Sequence, residues 1–301
     1  MSKRSSVAQG DPNDTRRHRA AMFFMLAAAA LVAATSLLAK ALSLGGQGAS
    51  GLDPLQVSAG RFGFALLALL IVLALRPSQG VSFRGVPWGL HLARSLFGWL
   101  GVTAMFAAVA RMPVAEATAI SFLSPLITIV LAALTLGECV GARKGLAGAV
   151  ALLGAVLILK PGTEAFQAAG LFALAAALFM GIEAIFIKRL ADREPPLRIL
   201  VINNGLGTLL AIGAASIVWV SPMPVQWAGM VSLGVVMVCA QALFIQSLKR
   251  AEASRVMPAF YAVLVFAAFY DLVLYGVRPD GLAVGGALLI VGGAVWVARH
   301  G

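Results

Sequence analysis

Two ionisable residues stand deep in apolar surroundings. Arg61 lies inside the run Pro54–Leu75 and Glu183 inside Gln167–Lys188. A charge at the centre of a bilayer costs about 2.5–3.5 kcal/mol on insertion scales, so such groups face a cavity, a partner or an interface. A guanidinium offers five donors and stays charged. Arg61 therefore suits the carboxylate of a bound molecule, or it holds a carboxylate on another helix. The Glu183 carboxyl can carry a proton on one half of a cycle and release it on the other, as proton relays do. It can equally form a fixed pair with Lys188 or with a charge on a neighbouring helix.

Other polar groups lie at related depths. At 1.5 Å per helical residue, Thr35, Thr103 and Ser121 join Arg61 about 9–12 Å from one side, and Asn203, Asn204 and Gln241 join Glu183 about 7–10 Å from the other. They read as two rims of a central cavity. The hydroxyls can instead bond their own helix carbonyls, and the amides can glue helices together. Trp99 and Tyr261, with Phe106, Phe179, Phe244 and Tyr270, would make apolar cavity walls or ordinary packing. Lys40, Lys188 and Glu138 sit at the ends of apolar runs and are expected to snorkel toward water, as are His91 and Arg94 at the start of another.

Catalytic chemistry finds no footing. The three histidines, His18, His91 and His300, fall near ends or in tails, and no HExxH or carboxylate pair appears at one depth. There is no GxxxxGK[ST] loop for ATP phosphates. Cys139 and Cys239 have neither metal-ligand nor disulfide-framework spacing. No metal and no cofactor is expected.

The elements that position these residues follow from composition. The chain is 60% hydrophobic and only 12% charged, against about a quarter charged in soluble domains, so its solvent is a lipid bilayer. Ten apolar stretches are long enough to cross: Ala20–Leu42, Pro54–Leu75, Trp88–Ala110, Pro113–Leu136, Lys144–Leu159, Gln167–Lys188, Leu197–Val220, Gln226–Leu248, Ser254–Tyr275 and Gly281–Ala298. The first is longer than a signal peptide's apolar core and reads as a retained span. With the N-terminus in the cytoplasm, 17 of the 23 Lys and Arg fall on inner segments and four on outer ends, with Arg61 and Arg94 inside spans. That alternation predicts an even number of spans with both termini cytoplasmic. It also accounts for the net charge of +11 without nucleic acid, because the basic residues sit in short clusters between spans.

The two halves resemble each other. A shift of 138 residues carries Ala104, Phe106, Ala115, Gly148, Ala149 and Gly154 onto Ala242, Phe244, Ala253, Gly286, Ala287 and Gly292. Five spans per half is an odd number, so the second copy must enter from the opposite side. The reading is a cytoplasmic tail over residues 1–19, a first repeat over 20–162 and a second over 163–301. The fold class is an all-α membrane protein, ten transmembrane helices as two inverted five-helix repeats around a central cavity. The GxxxG runs Gly141–Gly145 and Gly281–Gly285 fit close helix approach within one chain or a homodimer contact.

The residues Pro113, Ala115, Ala117, Pro125 and Leu136-Gly137-Glu138, followed by a Gly-rich span through Gly148 and Gly154, resemble the first repeat of the EamA family in the drug/metabolite transporter superfamily. Arg61 and Arg94 match that family's arginines in the second and third spans. The second repeat departs from the pattern: Leu274-Tyr275-Gly276 stands where LGE is expected, and the acidic residue comes earlier, at Asp271. The resemblance implies a secondary transporter of a small-molecule substrate in the bacterial inner membrane. It implies an exporter of an amino acid or amino-acid-derived product such as an opine-type metallophore. Uptake of a cofactor such as riboflavin or S-adenosylmethionine is the alternative, and an intramembrane enzyme a distant one.

Orientation is tested by single-cysteine labelling with an impermeant thiol reagent in a Cys139/Cys239-free background. Gly45→Cys and Thr163→Cys are expected to label from outside, and Gln79→Cys and Arg193→Cys to be protected. Protection of Gly45→Cys beside external labelling of Gln79→Cys overturns the assignment.

Overall fold

A computed structural model describes residues 12–45, 50–75, 81–124, 127–128, 130–131, 142–159, 168–191, 193–248, 250 and 259–300. Among them lie ten helices: α1 (Pro12–Leu44), α2 (Pro54–Leu75), α3 (Trp88–Val109), α4 (Val114–Ser121), α5 (Ala142–Leu159), α6 (Gly170–Ala191), α7 (Pro196–Ala215), α8 (Pro224–Leu248), α9 (Ala262–Tyr275) and α10 (Gly281–His300). Six are long and apolar enough to cross a membrane, within α1, α2, α3, α6, α7 and α8, and α9 and α10 contain shorter apolar helices. Bulky apolar residues such as Leu209, Val265 and Leu288 lie about 70% exposed on the outside. Inside, alanines predominate: Ala29 and Ala33 of α1 and Ala173, Ala176 and Ala177 of α6 are fully buried. Small side chains let helix backbones approach where lipid supplies no hydrophobic drive.

Several boundaries differ from the hydropathy reading. Helix α1 begins at Pro12, inside the stretch read as a tail. Proline suits a first helical position because its missing N–H would be unpaired there. Helix α7 stops at Ala215, short of Val220. Pro222 disfavours helix in the residue before it, and Gln56 instead grips the connection, donating to the Val220 carbonyl at 2.6 Å and accepting from its amide at 3.2 Å. Helix α4 gives way to a turn at Phe122–Leu123, just before Pro125. A turn at Tyr261 likewise precedes α9. The rings of Phe122 and Tyr261 meet there, centroids 5.1 Å apart. The LGE motif, Cys139 and the loops around Gln79 and Thr163 lie outside the described residues.

Helix α3 packs along α6, α1 along α8, and α5 along α10; α2 touches α7 and α8, α3 touches α7, α1 touches α9, and α4 touches α9 and α6. The α5–α10 crossing is tight at Gly154, where an added Cβ would meet the Gly286 carbonyl oxygen at 2.5 Å. That contact, rather than Gly281 or Gly285, makes the close approach, since both of those face open space.

Polar contacts between helix ends sort onto two faces. Where α1 begins, Ser247 donates to the Ala21 carbonyl at 2.7 Å, and His91 at the start of α3 meets Glu194 beyond the end of α6 at 2.7 Å. Where α1 ends, Lys40 meets Asp271 near the end of α9, and Gln226 at the start of α8 donates to the Ser50 carbonyl.

Candidate functional site

The α3–α6 contact brings the deep charges together. Arg94 Nη2 lies 3.7 Å from Glu183 Oε1. Gly98, one turn along α3, makes the room: a Cβ there would sit 2.6 Å from the same oxygen. Arg61 reaches the trio from α2. It is 4% exposed, its guanidinium carbon lies 4.0 Å over the Phe62 ring, and it feels the charges of both Glu183 and Arg94. Phe62 is pinned by Ala59, Ala211 and Ala215.

Arg94 pairs with Glu183 directly, and Arg61 lies within electrostatic range of both. At 3.7 Å the Arg94–Glu183 contact is an ion pair and not a hydrogen bond. Arg61 Nη1, Arg94 Nε and Arg94 Nη1 are buried without a hydrogen-bond partner among the described residues. A buried donor left unpaired costs about 1–3 kcal/mol, more when charged. The cluster thus holds one surplus positive charge and several donors directed at a planar acceptor such as a carboxylate.

A cavity of about 400 Å³ leads to this cluster. It runs from mid-bundle, at Val32 and Met237, to Glu194 and Pro196 at the face where α1 begins. Arg94, Glu194 and Gln241 supply its polar lining, and Phe244 and Phe260 are among its apolar walls, in edge contact with centroids 5.4 Å apart. At its mouth Glu194 is held on both oxygens, by His91 Nε2 at 2.7 Å and Arg198 Nη1 at 3.4 Å.

The remaining residues expected at a site divide. Thr35 donates to Val32 O and Ser121 to Thr118 O, each at 2.7 Å within its own helix. Asn204 donates to Leu200 O at 2.8 Å, while its Oδ1, Asn203 Oδ1 and Thr103 Oγ1 are buried without partners among the described residues. Trp99 donates to Ser58 Oγ at 3.3 Å. Tyr261 lines a separate, apolar hollow of about 530 Å³ between α4, α9 and α10, bordered by the exposed Val265 and Leu288. Gln241 alone of these eight joins the charged cavity.

Three residues expected to snorkel do not. His91 is fully buried on Glu194, Arg94 is 6% exposed, and Lys40 is 7% exposed on Asp271. Helix packing covers these ends, which hydropathy alone places at a water boundary. Glu194 was missed because Arg189–Arg198 reads as a charged loop, and no spacing in it marks one buried acid.

The profile of the EamA-like transporter family matches the chain twice, over residues 19–160 and 167–299. The pseudopaline exporter CntI of Pseudomonas aeruginosa is 28% identical over 79% of this chain and 84% of its own length. The riboflavin transporter of Rhizobium johnstonii is 30% identical over 80% and 79%, and the S-adenosylmethionine uptake transporter of Rickettsia bellii is 26% identical over 69% and 72%. A protein crystal structure 22% identical to the chain superposes with a TM-score of 0.62, covering 94% of this chain and 99% of its own, and shares the fold.

The role of Gly98 is testable on the purified protein by thermal melting. Gly98→Ala overpacks the carboxylate and should cost about 1–3 kcal/mol. In a Glu183→Ala background the same substitution should cost much less, a coupling of about 1 kcal/mol or more. Equal losses in both backgrounds would show that Gly98 does not serve Glu183.

Proposed function

This chain belongs to the EamA-like transporter family, and from that footing we propose that it is a ten-span secondary transporter exporting an amino acid or amino-acid-derived product across the inner membrane. The observation that carries the substrate class is the surplus of buried guanidinium donors on Arg94, which lines the cavity, and on Arg61 behind it. One carboxylate would satisfy them and balance their charge. A zwitterion could place its ammonium beside Glu183. The enzyme alternative falls away, because the matched family and the relatives described are transporters.

The inverted-repeat reading draws support from three sides. The family profile occurs twice, in adjoining halves. The packing pairs exchange under a five-helix shift: α1–α8 answers α6–α3, α2–α8 answers α7–α3, and α1–α9 answers α6–α4. Equivalent helices also run oppositely, since α1 ends at the Asp271 face and α6 ends at the His91–Glu194 face. The basic-residue bias assigns the latter to the cytoplasm. The charged cavity then opens inward, where an exported product would enter.

Export follows the relative named as an exporter. Uptake of S-adenosylmethionine is the second reading, favoured by the aromatic wall at Phe244 and Phe260 beside a carboxylate-binding pair. Riboflavin carries no carboxylate and leaves the two arginines without use.

Glu183, with no hydrogen-bonded partner among the described residues, is the proposed coupling group. In proteoliposomes loaded with a mixture of radiolabelled amino acids, Arg61→Ala should lower exchange by about tenfold or more, the loss of a charged hydrogen bond, and Arg61→Lys should retain part. Glu183→Gln keeps shape but fixes the group neutral. It should lose accumulation driven by a pH gradient and keep exchange between the two faces. Unchanged gradient-driven transport by Glu183→Gln eliminates the coupling role.

A further inference from the structure

At the face where α1 ends, three elements converge on one carboxylate. Asp271, close to the end of α9, is 1% exposed. Its Oδ1 takes Lys40 Nζ of α1 at 3.2 Å, and its Oδ2 accepts the Ala115 amide in the first turn of α4 at 3.0 Å. The Lys40 ammonium also lies 4.6 Å over the Tyr275 ring. Gly276, left-handed at φ 66°, ends α9 one turn beyond Asp271. At the opposite face a cavity lies beside the buried acid instead, lined by Glu194 and Arg94 among the described residues.

The clamp does not explain itself as a source of stability. A buried ion pair is worth little more than well-packed apolar residues, because desolvation offsets its attraction, whereas removing one partner alone is strongly unfavourable. Such a pair is suited to being made and broken as a unit. Its position fits that use. It ties α1 and α4 of the first half to α9 of the second, and α4 and α9 are each interrupted where Phe122 meets Tyr261. The half-helices between that contact and Asp271 are thus joined to each other at both ends, and to α1 through Lys40 and, closer to mid-bundle, through Tyr270, whose hydroxyl donates to the Ala30 carbonyl at 3.4 Å. Movement at helix interruptions is how gates commonly open.

We propose that Lys40 and Asp271 are the bolt of the outer mouth of the transport path. Made, as in this structure, the bolt leaves the charged cavity open only to the face where α1 begins. Broken, it lets the outer ends of the α4 and α9 half-helices part from Lys40 while the Tyr270–Ala30 contact holds nearer mid-bundle, and substrate passes the outer side. The proposal rests on the central-cavity reading and adds two gating residues that touch neither the cavity nor the arginine pair.

Ser36, one turn below Lys40 on α1 and 8% exposed, reports on the seal. Ser36→Cys, in a Cys139/Cys239-free chain in intact cells, is treated from outside with an impermeant thiol reagent. The exposed Ser221→Cys serves as the surface control. With the bolt intact Ser36→Cys should label slowly. Asp271→Asn keeps an acceptor for the Ala115 amide but removes the charge, and should raise the rate about tenfold, a one-decade shift in the open population. Lys40→Met, which leaves the Asp271–Ala115 bond, should do the same and decides the matter if Asp271→Asn fails to reach the membrane. Lys40→Arg should keep the slow rate. Unchanged protection in Asp271→Asn and Lys40→Met, or fast labelling with the bolt intact, overturns the proposal. Should Ser221→Cys label only in inverted vesicles, the orientation is wrong rather than the bolt, and the same Ser36 rates read from that side decide it.

Discussion

Cationic guanidinium in a medium with no water to solvate it is the constraint on which the interior depends. Arg61 and Arg94 are both nearly buried; Glu183 pairs with Arg94, and its charge also reaches Arg61. The accommodation reaches well beyond the trio. Gly98 yields its side-chain volume to the carboxylate, and Phe62 offers its ring to Arg61 while filling the space left by Gly207. The alanine stripes of α1 and α6 hold these helices close to their partners. Each is a concession of apolar packing to an ionic centre, and an ionic centre is seldom the cheapest way to fill a core. Its retention, with donors still unpaired, is the physical basis for assigning it to ligand binding.

The two faces differ in how they treat their buried ions. At the cavity mouth, Glu194 is held by His91 and Arg198, which tie α3 to the turn before α7 but leave a passage alongside. At the other face, Asp271 draws in a lysine and a helix-end amide, and the elements it joins belong to both halves. Similar chemistry therefore lines a channel mouth on one side and closes the bundle on the other. The two profile-matched halves differ here, since Leu274-Tyr275-Gly276 stands where the first half has Leu136-Gly137-Glu138.

The architecture was largely legible because its cause is simple. Runs of about 20 apolar residues separated by basic clusters leave few arrangements open. Arg61 and Glu183 stood out for the same reason, as charges with no short path to water. Arg94, His91 and Lys40 were misjudged because each lies near the end of a span, and hydropathy cannot say whether a neighbouring helix covers that end. Glu194 and Asp271 needed partners remote in sequence, 103 and 231 residues away. The hydroxyls of Thr35 and Ser121 take the alternative that the sequence left open for them, donating to carbonyls of their own helices.

Whether the arginine pair takes a carboxylate is measured most directly by ligand-induced stabilisation. The purified chain is titrated with α-amino acids and S-adenosylmethionine, and with the carboxamides of the same amino acids, while its melting temperature is followed. The account predicts that acids which raise the melting temperature lose the effect when amidated, and lose it again in Arg94→Gln. An amide that stabilises as well as its acid, or stabilisation undiminished in Arg94→Gln, would contradict it.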